Sequence, residues 1–189
     1  RGRARAAPDR WSGSAGGMIR LCLHGAESTG KSVLAGKLER ELGIPWVPEY
    51  GREYAETHGT DFIMADLLAM ARGQDAAMRA AAASHPPVLL LDTDPLMTAA
   101  WAQMLFGEAP AELFAYDKAE LYLLFEADVP WVADGTRFFG DNARRARFAA
   151  LSEAVLVRAG VCWERVGGSW AEREARIVSA VQQALLPAR

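Results

Sequence analysis

The run Gly25-Ala26-Glu27-Ser28-Thr29-Gly30-Lys31-Ser32 satisfies G-x-x-x-x-G-K-[ST] at every fixed position and follows the apolar stretch Met18-Ile19-Arg20-Leu21-Cys22-Leu23. A strand feeding such a loop is suited to hold an oligophosphate. The glycines let the backbone curl so that successive N–H groups point inward, Lys31 reaches the β- and γ-phosphates, and the Ser32 hydroxyl is placed to ligate Mg²⁺. The amphipathic helix expected over Ser32–Leu42 adds the positive end of its dipole. Gly25, Glu27, Ser28, Thr29, Gly30, Lys31, Ser32 and Val33 are therefore the expected nucleotide-binding residues. A chance glycine-rich turn would carry the same letters without the strand and helix on either side.

Phosphoryl transfer also needs a second metal-binding acid, commonly at the end of an apolar strand. Asp92, closing Val88-Leu89-Leu90-Leu91, fills that position, the bland reading being a turn residue. Asp94 is a second candidate, although its place before Pro95 also suits a helix N-cap. A further cluster, Glu49-Tyr50-Gly51-Arg52-Glu53-Tyr54, follows the second strand, at the carboxyl edge where open α/β sheets bind ligands. Glu49 stands closest to the strand end and is the first candidate to orient or deprotonate an acceptor hydroxyl, with Asp92 or Asp94 next. Tyr50 and Tyr54, spaced i,i+4, serve either the acceptor or a packed helix stripe. The polar loop Asp128–Asn142 carries Trp131, Asp134 and Arg137, and Arg144, Arg145 and Arg147 follow. A long charged loop suits a lid that brings a cation to the transferring group; Arg137 is the first choice and Arg145 the second, the remaining arginines reading as a solvated face.

Positioning these groups takes a regular alternation of elements. Strands are expected at Met18–Leu23, Ile44–Pro48, Val88–Leu91, Leu121–Phe125 and Val161–Val166. Helices are expected at Ser32–Leu42, from about Arg52 to Ala83 with a break near Gly59, at Pro95–Phe106, at Ala143–Ala159, and from Ala171 onward. Five buried-type strands joined by helices imply right-handed crossovers, hence an α/β three-layer fold with a five-stranded parallel sheet covered on both faces and a lid loop. At 189 residues the chain suits one domain, read as 18–189 behind a leader or linker over 1–17. A net charge of −3 and a pI near 5.7 argue against nucleic acid as a partner. Cys22 and Cys162 lie in apolar strands without metal-type spacing, so reduced core residues in a cytoplasmic protein are expected. No apolar run approaches the ~18 residues of a membrane span. A homo-oligomer is left open.

The motifs G-A-E-S-T-G-K-S, E-Y-G-R-E-Y, D-T-D and P-W-V-A-D-G-T-R (Pro130–Arg137), in that order, resemble the ribosylnicotinamide kinase domain of the NadR family. The resemblance covers essentially Met18 to the C-terminus. It implies a P-loop kinase that uses ATP to phosphorylate the 5′-hydroxyl of nicotinamide riboside, giving nicotinamide mononucleotide. It carries Lys31 and Ser32 to ATP and Mg²⁺, Glu49, Tyr50 and Arg52 to the substrate, Asp92 and Asp94 to the metal and ribose region, and Trp131, Asp134 and Arg137 to the lid. Where the family often has an aromatic immediately before E-Y-G-R-E-Y this chain has Pro48, so Trp46, Tyr50 and Tyr54 are the local aromatics left to face a cationic ring. No H-x-G-H motif of a fused nucleotidyltransferase is present, which suggests a stand-alone or excised kinase. The alternatives are a kinase for another nucleoside or nucleotide, and a nucleotide-dependent switch without a small-molecule acceptor.

Overall fold

The computed structural model describes residues 17–130 and 141–186. Its strands are β1 (Ile19–Gly25), β2 (Trp46–Val47), β3 (Val88–Asp92), β4 (Leu121–Phe125) and β5 (Trp163–Val166). They stand in the order β2-β3-β1-β4-β5, and every neighbouring pair is parallel. Every residue of β3 and β4 is buried, as expected for strands covered on both faces, and this is why both read as unbroken apolar runs.

The helices are α1 (Lys31–Leu42), α2 (Tyr50–His58), α3 (Met64–Ala82), α4 (Pro95–Phe106), α5 (Asn142–Ala159) and α6 (Trp170–Leu185), with a short 3-10 turn at Ala111–Phe114. Side chains alternate across β1, so Leu21 and Leu23 face one layer and Cys22 the other. On the first face Leu34 and Leu38 of α1 and Ile177 and Val181 of α6 pack against Leu90, Leu121 and Leu123. On the second, Met70 and Met78 of α3, Leu96 and Ala100 of α4, and Phe148 and Leu156 of α5 cover Leu89, Leu91, Tyr122 and Leu124. These are the three layers expected, with β1 at the centre.

Boundaries differ where proline or loop chemistry intervenes. β2 keeps two residues of the five expected because Pro45 and Pro48 bracket it and neither has an N–H for the ladder, though the Pro45 carbonyl still accepts from Leu90 N at 3.0 Å. β1 runs on to Gly25, since His24 and Gly25 pair with Leu124 and Phe125. β5 begins at Trp163, two residues later than expected. α2 starts at Tyr50 and ends at His58, and Gly59 after it takes φ 82 where the helix break was expected. Among the described residues no helix is long and apolar enough to cross a membrane.

Candidate active site

β1 ends in the phosphate loop and α1 leaves it. Gly25 adopts φ +119, and a Cβ there would stand 2.5 Å from the Phe125 carbonyl oxygen, so both backbone geometry and space require glycine. Gly30 caps α1 at φ +92 with the ring of Trp170 packed against its α-carbon, so an added Cβ would run into the indole. Ser28 also takes a left-handed conformation, φ 59. The Thr29 hydroxyl donates to the Ala26 carbonyl at 2.8 Å and pins the loop from inside.

Lys31 is buried, and its ammonium donates to the carbonyls of Gly25 at 3.0 Å and Ala26 at 2.8 Å. Burial lowers its pKa, while Asp92, Glu49 and Glu27 act in the opposite direction. These acids make the region around Lys31 a compact charged centre. Asp92, 1 % exposed at the end of β3, is held above the ordinary carboxylate range by burial, opposed by Lys31 and by a hydrogen bond with the Ser32 side chain. Its Oδ1 has no hydrogen-bond partner among the described residues. A buried carboxylate oxygen left over beside a hydroxyl is a donor set suited to a hard divalent cation.

Glu49 is the N-cap residue of α2, yet its side chain makes no capping hydrogen bond. The carboxyl borders the cavity, where burial first and the Asp92 charge second push its pKa up to about 7, against Lys31 and Arg52. The cavity measures about 300 Å³ and lies between the phosphate loop and helices α2, α3 and α4, a size suited to a small organic ligand. Arg52, Gln74, Thr93 and Thr98 are polar groups on its wall; Phe62, Leu67, Met70, Met97, Trp101 and Phe148 form the apolar part. Trp101 and Phe148 meet with ring centroids 4.6 Å apart, tilted by 47°. Thr93, directly after Asp92, is held at φ 76, a strained conformation for a β-branched residue at the point where β3 turns into the site.

The site thus brings together Gly25, Glu27, Ser28, Thr29, Gly30, Lys31, Ser32, Val33, Glu49 and Arg52 on one cavity wall, with Asp92 behind Ser32. Asp94 is placed elsewhere, and the N-cap reading describes it: Oδ1 accepts from Leu96 N at 3.0 Å, Oδ2 from the Tyr122 hydroxyl, and the residue is 1 % exposed. Burial raises its pKa to about 6. Trp46 lies on the opposite face of the sheet, packed into the α1/α6 layer with its indole N–H on Glu39 at 2.9 Å, and does not line the cavity. Tyr54 gives its hydroxyl to Asp66 at 2.7 Å and stacks on His58, and Tyr50 packs its ring against Gly73; neither lines the cavity. The helix-stripe reading accounts for both. Arg145 is buried and donates to the Val129 carbonyl at 2.8 Å, bracing the chain before 131–140. Trp131, Asp134 and Arg137 lie outside the described residues.

Sequence reasoning missed the cavity's aromatic wall. Phe62, Trp101 and Phe148 come from three separated segments whose apolar patterning reads as core, and only their convergence marks them. It also missed Arg173, fully buried on α6, which donates to the carbonyls of Thr29, Gly168 and Glu126 and pairs with Asp128.

A parallel sheet with a phosphate loop at the central strand's carboxyl end, followed at once by a helix, defines a P-loop nucleotide-binding domain. A family model described as an AAA domain matches residues 20–173, and the chain belongs to that family. It is 33 % identical over 153 residues to the trifunctional NAD biosynthesis/regulator protein NadR of Escherichia coli (strain K12), covering 77 % of this chain and 37 % of that protein. The NadR of Salmonella typhimurium is 32 % identical over 143 residues, covering 72 % and 35 %. The chain therefore spans little more than a third of the length of the curated relatives it matches. Among solved structures, a NadR protein in complex with NR superposes with a TM-score of 0.72 at 22 % identity, covering 91 % of this chain and 53 % of that one. The thymidylate kinase of Ehrlichia chaffeensis superposes at 0.63 with 10 % identity, covering 88 % of this chain and all of that one. These likenesses establish the fold.

Proposed function

We propose that this domain transfers the γ-phosphoryl group of ATP to the 5′-hydroxyl of nicotinamide riboside, forming nicotinamide mononucleotide and ADP. The observation that carries the reading is the meeting of Lys31, Glu49 and Asp92 where the phosphate loop opens into an aromatic-walled cavity of nucleoside size. The relatedness to NadR proteins, and solved NadR complexes with NR and with NAD and AMP-PNP, support the choice of acceptor and donor.

In this reading the loop N–H groups and Lys31 hold the β- and γ-phosphates and offset the charge that builds between them. Ser32 and Asp92 would hold Mg²⁺, which supplies further charge neutralisation when bound. Glu49 takes the proton of the 5′-hydroxyl as its oxygen bonds to the γ-phosphorus and the bond to the β–γ bridging oxygen breaks. Trp101, Phe148 and Phe62 offer π faces to a pyridinium ring, a contact worth about 0.5–2 kcal/mol. Arg137 is assigned from the sequence as the cation that approaches the transferring group. A cytoplasmic setting fits both substrates.

The test is purified protein with ATP, Mg²⁺ and a nucleoside panel, the phosphate position on the product being read by NMR or mass spectrometry. Nicotinamide riboside is expected to exceed uridine and cytidine in kcat/KM by well over tenfold. Equal use of a neutral pyrimidine nucleoside would move the domain to the general nucleoside kinases. ATP binding without stimulation by any acceptor would favour a switch.

A further inference from the structure

Gln74 sits in the middle of α3, 3 % exposed, and its side-chain amide is divided between the two peptide groups that flank Glu49. Oε1 accepts from Tyr50 N–H at 2.7 Å, and Nε2 donates to the Pro48 carbonyl at 3.3 Å. The residue also borders the cavity. The chain turns sharply here: β2 ends at Val47 and α2 begins at Tyr50.

The N–H groups of a helix's first turn have no partner within the helix, and the N-cap side chain ordinarily accepts from one of them. Glu49 holds that N-cap position without making the bond. An acceptor for the first turn instead comes from another element, because Gln74 takes the Tyr50 N–H. Its second bond, to Pro48, ties down the other side of the same corner. The carboxylate of Glu49, which makes no capping bond, borders the cavity between these two anchored peptide groups. Gly73 supports the arrangement, since the Tyr50 ring occupies the space a side chain at that position would need.

We propose that Gln74 is a positioning residue that caps α2 from outside and clamps the Pro48–Tyr50 corner, so that the Glu49 carboxylate is presented to the acceptor hydroxyl. The proposal rests on the reading of Glu49 as the proton acceptor in phosphoryl transfer.

The test is a double-mutant cycle in steady-state kinetics with ATP and nicotinamide riboside. Gln74→Met keeps the volume and removes both hydrogen bonds. It is expected to lower kcat by about tenfold or more while both KM values stay within about twofold, because the loss falls on alignment rather than binding. In a Glu49→Gln background the same change is expected to alter kcat by less than about twofold, since the group it positions is gone. Should Gln74→Met fail to fold, Gln74→Asn carries the same cycle, keeping a neutral amide in the core but one methylene short of the Pro48–Tyr50 corner. A loss of equal size in both backgrounds would sink the proposal, as would a rise in acceptor KM alone, which would make Gln74 a direct substrate contact. Unchanged kcat in Glu49→Gln by itself would remove the reading of Glu49, and the proposal with it.

Discussion

Lys31 bonds to the carbonyls of its own loop, so the cation proposed to meet the phosphate oxygens has little rotamer freedom left to lose on binding. Lys31→Ala should therefore leave a folded protein whose kcat falls by roughly two or more orders of magnitude, because the charge opposing the transferring group is removed. Turnover close to the parent's in a folded Lys31→Ala protein would count against phosphoryl transfer at this loop. Glu49 carries a separable signature in pH. Its pKa, pushed up to about 7 by burial and by Asp92, leaves the carboxyl mostly protonated at pH 6 and mostly ionised at pH 8. A base acts only when ionised, so kcat/KM for the acceptor should climb across that interval and level off above it. Glu49→Gln should be slower and flat over the same range; a limb that persists in the variant would assign the titration to another group.

Glycine's role within the elements depends on what surrounds it, and two glycines, one ending β1 and one capping the end of α1, separate backbone strain from crowding. Gly25 combines φ +119 with the Phe125 carbonyl 2.5 Å from a would-be Cβ, whereas Gly43, at φ 66, has nothing within 4 Å of that position. Gly43→Ala should cost only the left-handed penalty of about 1–2 kcal/mol, while Gly25→Ala should cost clearly more, since β4 would have to move away from β1. Urea denaturation of the two variants checks the order, and equal losses would mean that the β1–β4 seam yields freely. The elements themselves were legible in the sequence because buried parallel strands are apolar throughout and glycine and proline mark their ends. The phosphate loop was legible for the same local reason: its function follows from eight consecutive residues. The aromatic wall of the cavity was not. Phe62, Trp101 and Phe148 converge only because α4 packs against both α3 and α5, and no spacing in the chain announces that. Trp46, Tyr50 and Tyr54 drew attention by lying beside a motif, yet side-chain direction at β2 and α2 turns all three away from the cavity.

For the whole molecule, the layer beneath the site holds buried titratable groups whose linkage to folding has opposite signs. His24 is fully buried at the end of β1, donates to the Ser152 carbonyl through Nε2 at 3.2 Å, and leaves Nδ1 without a partner among the described residues. Burial first, and the Lys31 charge second, lower its pKa to about 3. The unfolded chain therefore binds a proton at this histidine below about pH 6.5 that the folded protein refuses, and stability drawn from neutral His24 is lost as pH falls through that window. Asp94 and Glu49, raised to about 6 and about 7, do the reverse: the folded state holds their protons longer, so their contribution is present in acid and lost as pH rises. Between pH 4.5 and 6 the two trends oppose each other, and the parent's own stability curve conceals them. The difference between the parent and a His24→Gln variant isolates the histidine. Measured by urea denaturation across this range, the variant should gain on the parent as pH falls, by up to about 1.4 kcal/mol per pH unit, the equivalent of one proton. Parallel curves would mean that His24 takes up its proton equally in both states, and that the core beneath the phosphate loop admits water or charge.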